Sequence, residues 1–181
     1  MKDNLSERKA TRLSNFDYSS VGAYFITICV RDRMKILSEI VTAVSDTIYS
    51  DSVGDGALDV PKIRLTKIGE IVEKYLMSSE NIPNVEIDKY VIMPDHIHAI
   101  LFIKASSNGT SRAPSPTAAN EVLPHIVSTF KRFCNKEIGE NIFQRSYYDH
   151  VIRDRKDYEM RKKYIYDNPI KWYYDKVYED E

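Results

Sequence analysis

Two apolar runs, residues 90–93 and 97–103, meet at Pro94-Asp95, and the second is entered through His96-Ile97-His98. A Pro-Asp pair between two such runs is a hairpin signal. Consecutive side chains of a strand point to opposite faces, so His96 and His98 project from one face, roughly 6.5–7 Å apart along the chain. Two imidazoles so placed can share one metal ion. The simpler alternative is a hairpin strand carrying two half-buried or solvated histidines. What the other segments bring to that face decides between them.

The rest of the chain supplies a regular alternation. Tyr24-Phe25-Ile26-Thr27-Ile28-Cys29-Val30 is rich in β-branched and aromatic residues and reads as a buried strand closed by Arg31-Asp32-Arg33. Leu65, Ile68, Ile71, Val72, Tyr75 and Leu76 recur at helical spacing over residues 65–77, with Thr66 and Gly69 weakening the start. Asn81-Ile82-Pro83-Asn84 is a turn, residues 85–93 a strand, and residues 96–103 its hairpin partner. Helical spacing returns in Val122, Ile126, Val127, Phe130 and Phe133, where Pro124 suits a first turn. Residues 142–152 read as a fourth strand. Asp154 can cap a last helix, with Asp157 in capping-box spacing, and Asn168-Pro169 is a stop signal. Strand, helix, strand, strand, helix, strand is the split βαβ order of an α+β, ferredoxin-like fold. It implies an antiparallel four-stranded sheet with two helices on one face, plus an extra C-terminal helix. The first and third strands are then central, which puts the histidines mid-sheet.

The 181 residues suit a single domain, 1–181, and 43% hydrophobic residues can fill its core. Around it lie a polar arm (1–20), an acidic insertion (38–60) with room for a short ribbon, a flexible Ser/Pro-rich loop (105–117) and an acidic tail (173–181). The insertion carries Glu39, Asp46, Asp51, Asp55 and Asp59 without a lysine or arginine, and is expected to lie away from any anionic ligand. Cys29 and Cys134 fit no metal-ligand spacing and suit a reduced compartment. No run approaches a membrane span and no leader is evident, so a cytoplasmic protein, nucleoid-associated when bound to DNA, is expected. A homodimer and a monomer are equally compatible with the sequence.

A net charge of −1 does not advertise nucleic-acid binding, but its distribution does. Between His125 and Trp172 stand eleven basic and seven acidic residues, an excess of four that the acidic insertion and tail conceal. Lys131, Arg132, Arg145, Arg153, Lys162 and Lys163, interleaved with rings such as Tyr147, form a candidate DNA surface: cations for phosphates, rings for bases. An ordinary solvated helix face explains the same residues. In the last helix Tyr164 and Asn168 share a face, four apart. Spacing alone favours a packed tyrosine and a C-capping asparagine, with Tyr158 and Ile165 as the core-facing stripe.

Four blocks carry a resemblance. Tyr90-Val91-Ile92-Met93-Pro94-Asp95-His96-Ile97-His98 is similar to the His-hydrophobic-His motif and leading strand of the REP-associated tyrosine transposases, members of the HUH single-strand DNA transposase superfamily. Tyr164-Ile165-Tyr166-Asp167-Asn168-Pro169-Ile170-Lys171 resembles that family's tyrosine helix, Tyr148-Asp149-His150-Val151-Ile152-Arg153-Asp154 the segment entering it, and Ala23-Tyr24-Phe25-Ile26-Thr27 its first strand. The likeness covers roughly residues 14–172. It implies that His96 and His98 are metal ligands completed by Asn168 and that Tyr164 is the catalytic nucleophile; two imidazoles and an amide favour magnesium or manganese, although imidazole also accepts nickel or zinc. It implies a single-stranded, hairpin-forming DNA substrate, cut and rejoined through a 5′-phosphotyrosine. A non-catalytic ferredoxin-like nucleic-acid-binding protein with structural histidines remains the rival. His-x-His-x-Asp-His hydrolases are excluded by Ala99-Ile100-Leu101, and a (β/α)₈ barrel needs a longer chain.

Overall fold

β-branched and aromatic side chains fill the strands that form the centre of the protein. The computed structural model describes residues 21–41, 61–105 and 122–179. Within them run β1 (Gly22–Cys29), β2 (Ser38–Val41), β3 (Lys62–Leu65), α1 (Lys67–Ser78), β4 (Val85–Ile92), β5 (His96–Ile103), α2 (Val122–Ile138), β6 (Tyr148–Ile152) and α3 (Arg155–Glu179). The main sheet has the order β4-β5-β1-β6, antiparallel throughout, so β1 and β5 are its central strands. With β2 and β3 set aside as a separate two-stranded ribbon, this is the split βαβ arrangement. The polar arm, most of the acidic insertion and the Ser/Pro-rich loop lie outside the described residues.

Strand periodicity sorts β5 into two faces. Ile97, Ala99, Leu101 and Ile103 join Tyr24, Ile26 and Ile28 of β1 in a core closed by Val72 and Leu76 of α1 and Leu123, Ile126, Val127, Phe130 and Cys134 of α2. The opposite face is covered as well. Phe25, Val91, Met93 and Ile100 pack there against Ile165 of α3, with Ile40 and Ile63 of the ribbon, Tyr158 and Trp172 around them. His96 and His98, alternating with the core residues, face this second layer.

Three boundaries depart from the sequence expectation. Residues 62–65 are strand, and α1 starts only at Lys67. Thr66, expected to weaken that start, caps it by accepting a hydrogen bond from the Gly69 N–H at 3.1 Å and donating to the Ile36 carbonyl at 2.6 Å. Gly69 is the only residue that fits its place, because a Cβ there would lie 2.0 Å from the Leu37 carbonyl oxygen. The fourth strand begins at Tyr148; before it, Phe143 makes only an isolated bridge to Val30. Finally, α3 does not stop at Asn168. It runs through Pro169 to Glu179, taking in most of the expected tail, although Pro169 cannot donate to the Ile165 carbonyl. Burial of Ile165 and Asn168 before the proline and packing of Trp172 after it hold both halves against the sheet. The Asp154 cap was read correctly: its Oδ1 accepts from the Asp157 N–H at 2.8 Å.

Candidate active site

Central strands β1 and β5 place the imidazoles. His98 is paired in register with Thr27, and its Nδ1 lies 2.8 Å from Thr27 Oγ1. His96 Nδ1 lies 2.5 Å from Asp95 Oδ1, and Asp95 Oδ2 in turn accepts from Arg33 at 3.4 Å. Burial pushes the Asp95 carboxyl up, but the His96 hydrogen bond and the charges of His96 and Arg33 outweigh it, so it lies below its ordinary range. Both rings are buried, with centroids 4.5 Å apart. Burial, helped by the His96 and Arg33 charges, pulls His98 down to about 3, which makes it a neutral imidazole near pH 7. Its Nε2 is buried with no hydrogen-bond partner.

Helix α3 crosses this pair. The Tyr164 ring is 5.1 Å from that of His98 and edge-on to Phe25 at 6.0 Å, while the Trp172 ring is 6.0 Å from that of His96. Residues four apart share a helix face, so Asn168 lies on the face of Tyr164 and Trp172, one turn from each. Asn168 is buried and mid-helix, which removes the C-cap reading; Tyr164 is 40% exposed, open to a ligand from outside. Tyr158 and Ile165 do form the inward stripe, with Ile165 buried and the Tyr158 hydroxyl donating to Asp88 at 2.7 Å.

These donors suit a divalent ion. With each Nδ1 engaged by an oxygen, each Nε2 is the nitrogen left for a ligand, and one of the two is orphaned and buried. Among the described residues no third histidine, cysteine or acid joins them. The helix face that carries Tyr164 also carries the Asn168 amide, a candidate third donor.

The seven candidate DNA contacts fall in three places. Lys131, Arg132, Arg145 and Tyr147 meet where α2 borders the loop before β6. Arg153 lines a hollow at the start of α3, and Lys162 and Lys163 line a groove of about 870 Å³ between α3, β4 and the ribbon. Lys131, on α2, is half-buried against the loop before β6, and its ammonium donates to the carbonyls of Gln144 at 2.7 Å, Ser146 at 3.0 Å and Arg145 at 3.4 Å. Four further cations flank the histidine site, of which sequence reasoning counted Arg161 and Lys171 only in the basic excess and passed over Lys35 and Arg33. Arg161 lies 5.5 Å from the Phe25 ring, Lys171 5.7 Å from the Tyr164 ring, and Lys35 5.7 Å from the Trp172 ring, with Arg33 on Asp95. Lys35 and Arg33 follow β1 immediately in the chain, the one signal that could have found them. The ribbon also lies nearer the site than expected, against the tyrosine-bearing helix.

No family model matches the chain. Its fold is that of a transposase: it superimposes with a TM-score of 0.54, at 21% identity, on a REP-associated tyrosine transposase solved bound to a REP hairpin, covering 83% of this chain and 67% of that one. A putative REP-associated tyrosine transposase of Haemophilus influenzae is 28% identical over 93% of this chain and 82% of its own length. The REP-associated tyrosine transposase of Escherichia coli is 30% identical over 48% of this chain and 45% of its own, and an uncharacterized H. influenzae protein 31% identical over 97% and 96%. The chain is thus a homologue of REP-associated tyrosine transposases.

Proposed function

We propose that this protein cuts and rejoins single-stranded, hairpin-forming DNA in a metal-dependent reaction, with Tyr164 as nucleophile. The observation that carries the reading is the Tyr164 ring 5.1 Å from His98, whose Nε2 is buried and unpartnered. Among the described tyrosines, this one stands against the His98 ring. Homology to these transposases and the hairpin bound by the solved relative support the substrate class.

His96, His98 and the Asn168 amide oxygen would hold magnesium or manganese, which supplies Lewis-acid polarisation of a scissile phosphate when bound. The Tyr164 oxygen then bonds to phosphorus as the bond to the 3′ oxygen breaks. The phenolic proton passes to solvent and the released 3′ oxygen takes one up, leaving a 5′-phosphotyrosine and a free 3′-hydroxyl. Attack by a 3′-hydroxyl on that link reverses the step and joins strands without a nucleotide cofactor. Arg161, Lys171, Lys35 and Arg33 provide positive potential for the incoming strand.

The test is to incubate labelled single-stranded hairpins, including sequences flanking the gene, with protein and manganese or magnesium, and resolve the products on a denaturing gel. A covalent protein–DNA band is expected, absent in Tyr164→Phe and in the His96→Ala/His98→Ala pair, with binding retained by the tyrosine variant. Binding without any metal-dependent adduct would establish the non-catalytic reading instead.

A further inference from the structure

Two buried side-chain nitrogens beside the site have no hydrogen-bond partner: His98 Nε2 and Trp172 Nε1. The first has a role in the scheme above. The second does not. An indole N–H is a donor only, so it cannot take a metal; it needs an acceptor, and burying it without one is unfavourable. Trp172 continues the face of α3 that bears Tyr164 and Asn168, at the same spacing of four. Its ring lies 6.0 Å from His96, and the Lys35 ammonium stands 5.7 Å from the ring centre. An acceptor arriving here meets positive charge, which favours an anionic oxygen over water.

We propose that Trp172 is a phosphate-contacting residue, whose indole N–H donates to a non-bridging phosphate oxygen of the bound strand on the His96 side of the site. Lys35 contributes charge to the same phosphate. The proposal rests on the reading of the chain as a single-strand DNA enzyme, and names the group that would orient the strand across the imidazoles. Tyr164 and Trp172 then bracket the backbone from two turns of one helix, with Asn168 between them.

The experiment uses the Tyr164→Phe protein, which separates binding from cleavage. Its affinity is measured by fluorescence anisotropy for the tightest-binding gene-flanking hairpin with a single-stranded 5′ flank. Methylphosphonates, which remove the anionic oxygen, are walked through the flank one phosphate at a time. Adding Trp172→Phe, which keeps a ring but removes the donor, is expected to weaken binding about tenfold. At one phosphate the methylphosphonate should weaken the Trp172 protein by a similar factor and the Trp172→Phe protein hardly at all. Unchanged affinity in Trp172→Phe, or a loss that simply multiplies with every methylphosphonate, overturns the contact and leaves only packing.

Trp172 is the one tryptophan of the chain, so indole emission gives a second readout needing no substitution of Trp172. Its change on saturation with the phosphodiester strand should shrink with the coupled methylphosphonate; an equal change with both strands counts against the contact. Coupling without an adduct in the Tyr164 protein would overturn the proposed chemistry and leave the contact standing. An adduct without coupling would do the reverse, and failure of all hairpins to bind would overturn both.

Discussion

Thr27 Oγ1 lies 2.8 Å from His98 Nδ1, at directly paired positions of the two central strands. The sheet register thus fixes the orientation of a ring that would otherwise turn about its own bonds. When the ring donates from Nδ1, its Nε2 lone pair is free for a metal, the usual consequence of an oxygen behind a ligating histidine. Thr27→Val is nearly isosteric and keeps a β-branched residue in β1. It should leave the unfolding midpoint within a few degrees but weaken manganese binding by about 10- to 100-fold, measured by titration calorimetry. Unchanged manganese affinity would mean that Thr27 does not orient a ligand.

At Asn168 the proposed role predicts opposite effects on stability and activity. A buried amide in mid-helix has lower helix propensity than leucine, by a few tenths of a kcal/mol. Asn168→Leu should therefore unfold at the same temperature as the parent or higher, while the metal-dependent adduct falls at least about tenfold. If adduct formation survives, the third donor is another group. A drop in melting temperature with normal adduct formation would assign the amide a purely structural role.

How far the sequence disclosed this architecture depended on how local each cause was. Strands β1, β4 and β5 were legible because runs of Val, Ile, Tyr and Phe leave few alternatives. The start of α1 was misjudged because the reason for Gly69 lies in the Leu37 carbonyl, thirty-two residues earlier and across a different element. The ribbon strand β3 spans only four residues and is recognisable through its partner β2. Asn168-Pro169 is a valid local stop signal, overridden by packing on both sides of it. At the site, same-face spacing placed His96 beside His98 and Tyr164 beside Asn168. Nothing local joined the two pairs; only the resemblance did, and the 5.1 Å approach of Tyr164 to His98 brings them together. Trp172 and Lys35 escaped notice because the contacts of Trp172 with His96 and of Lys35 with Trp172 exist only once α3 crosses the sheet.

Lys131 behaves as a clamp on the loop preceding β6. Burial lowers its ammonium to about 8, so it remains mostly charged at neutral pH, and three consecutive carbonyls accept its hydrogen bonds. Lys131→Met retains the aliphatic stem but strands those carbonyls, and should cost about 1–3 kcal/mol in urea unfolding. The exposed neighbour Arg145 has no such duty, so Arg145→Ala should leave stability within about 0.5 kcal/mol. If Arg145 touches DNA, its loss should weaken hairpin binding and flatten the salt dependence, a combination that Lys131→Met would show only alongside reduced stability.

Tyr158 fastens the first turn of α3 to the bulge in β4, where its hydroxyl donates to Asp88 Oδ2 at 2.7 Å. That hydrogen bond, with burial and the Asp88 charge behind it, raises the phenol to about 12. In the unfolded chain the phenol ionises near its ordinary value of about 10. Below pH 10 both states keep the proton, and the contact contributes in full. Between 10 and 12 the unfolded chain has released a proton that the native protein retains, so stability falls as pH rises through this window. Tyr158→Phe should therefore be less stable than the parent by about 1 kcal/mol at pH 8, with the gap closing by pH 12, measured as urea midpoints across the range. A gap that stays constant from pH 8 to 12 would show that the ring's packing, and not the bond to Asp88, anchors the helix that presents Tyr164.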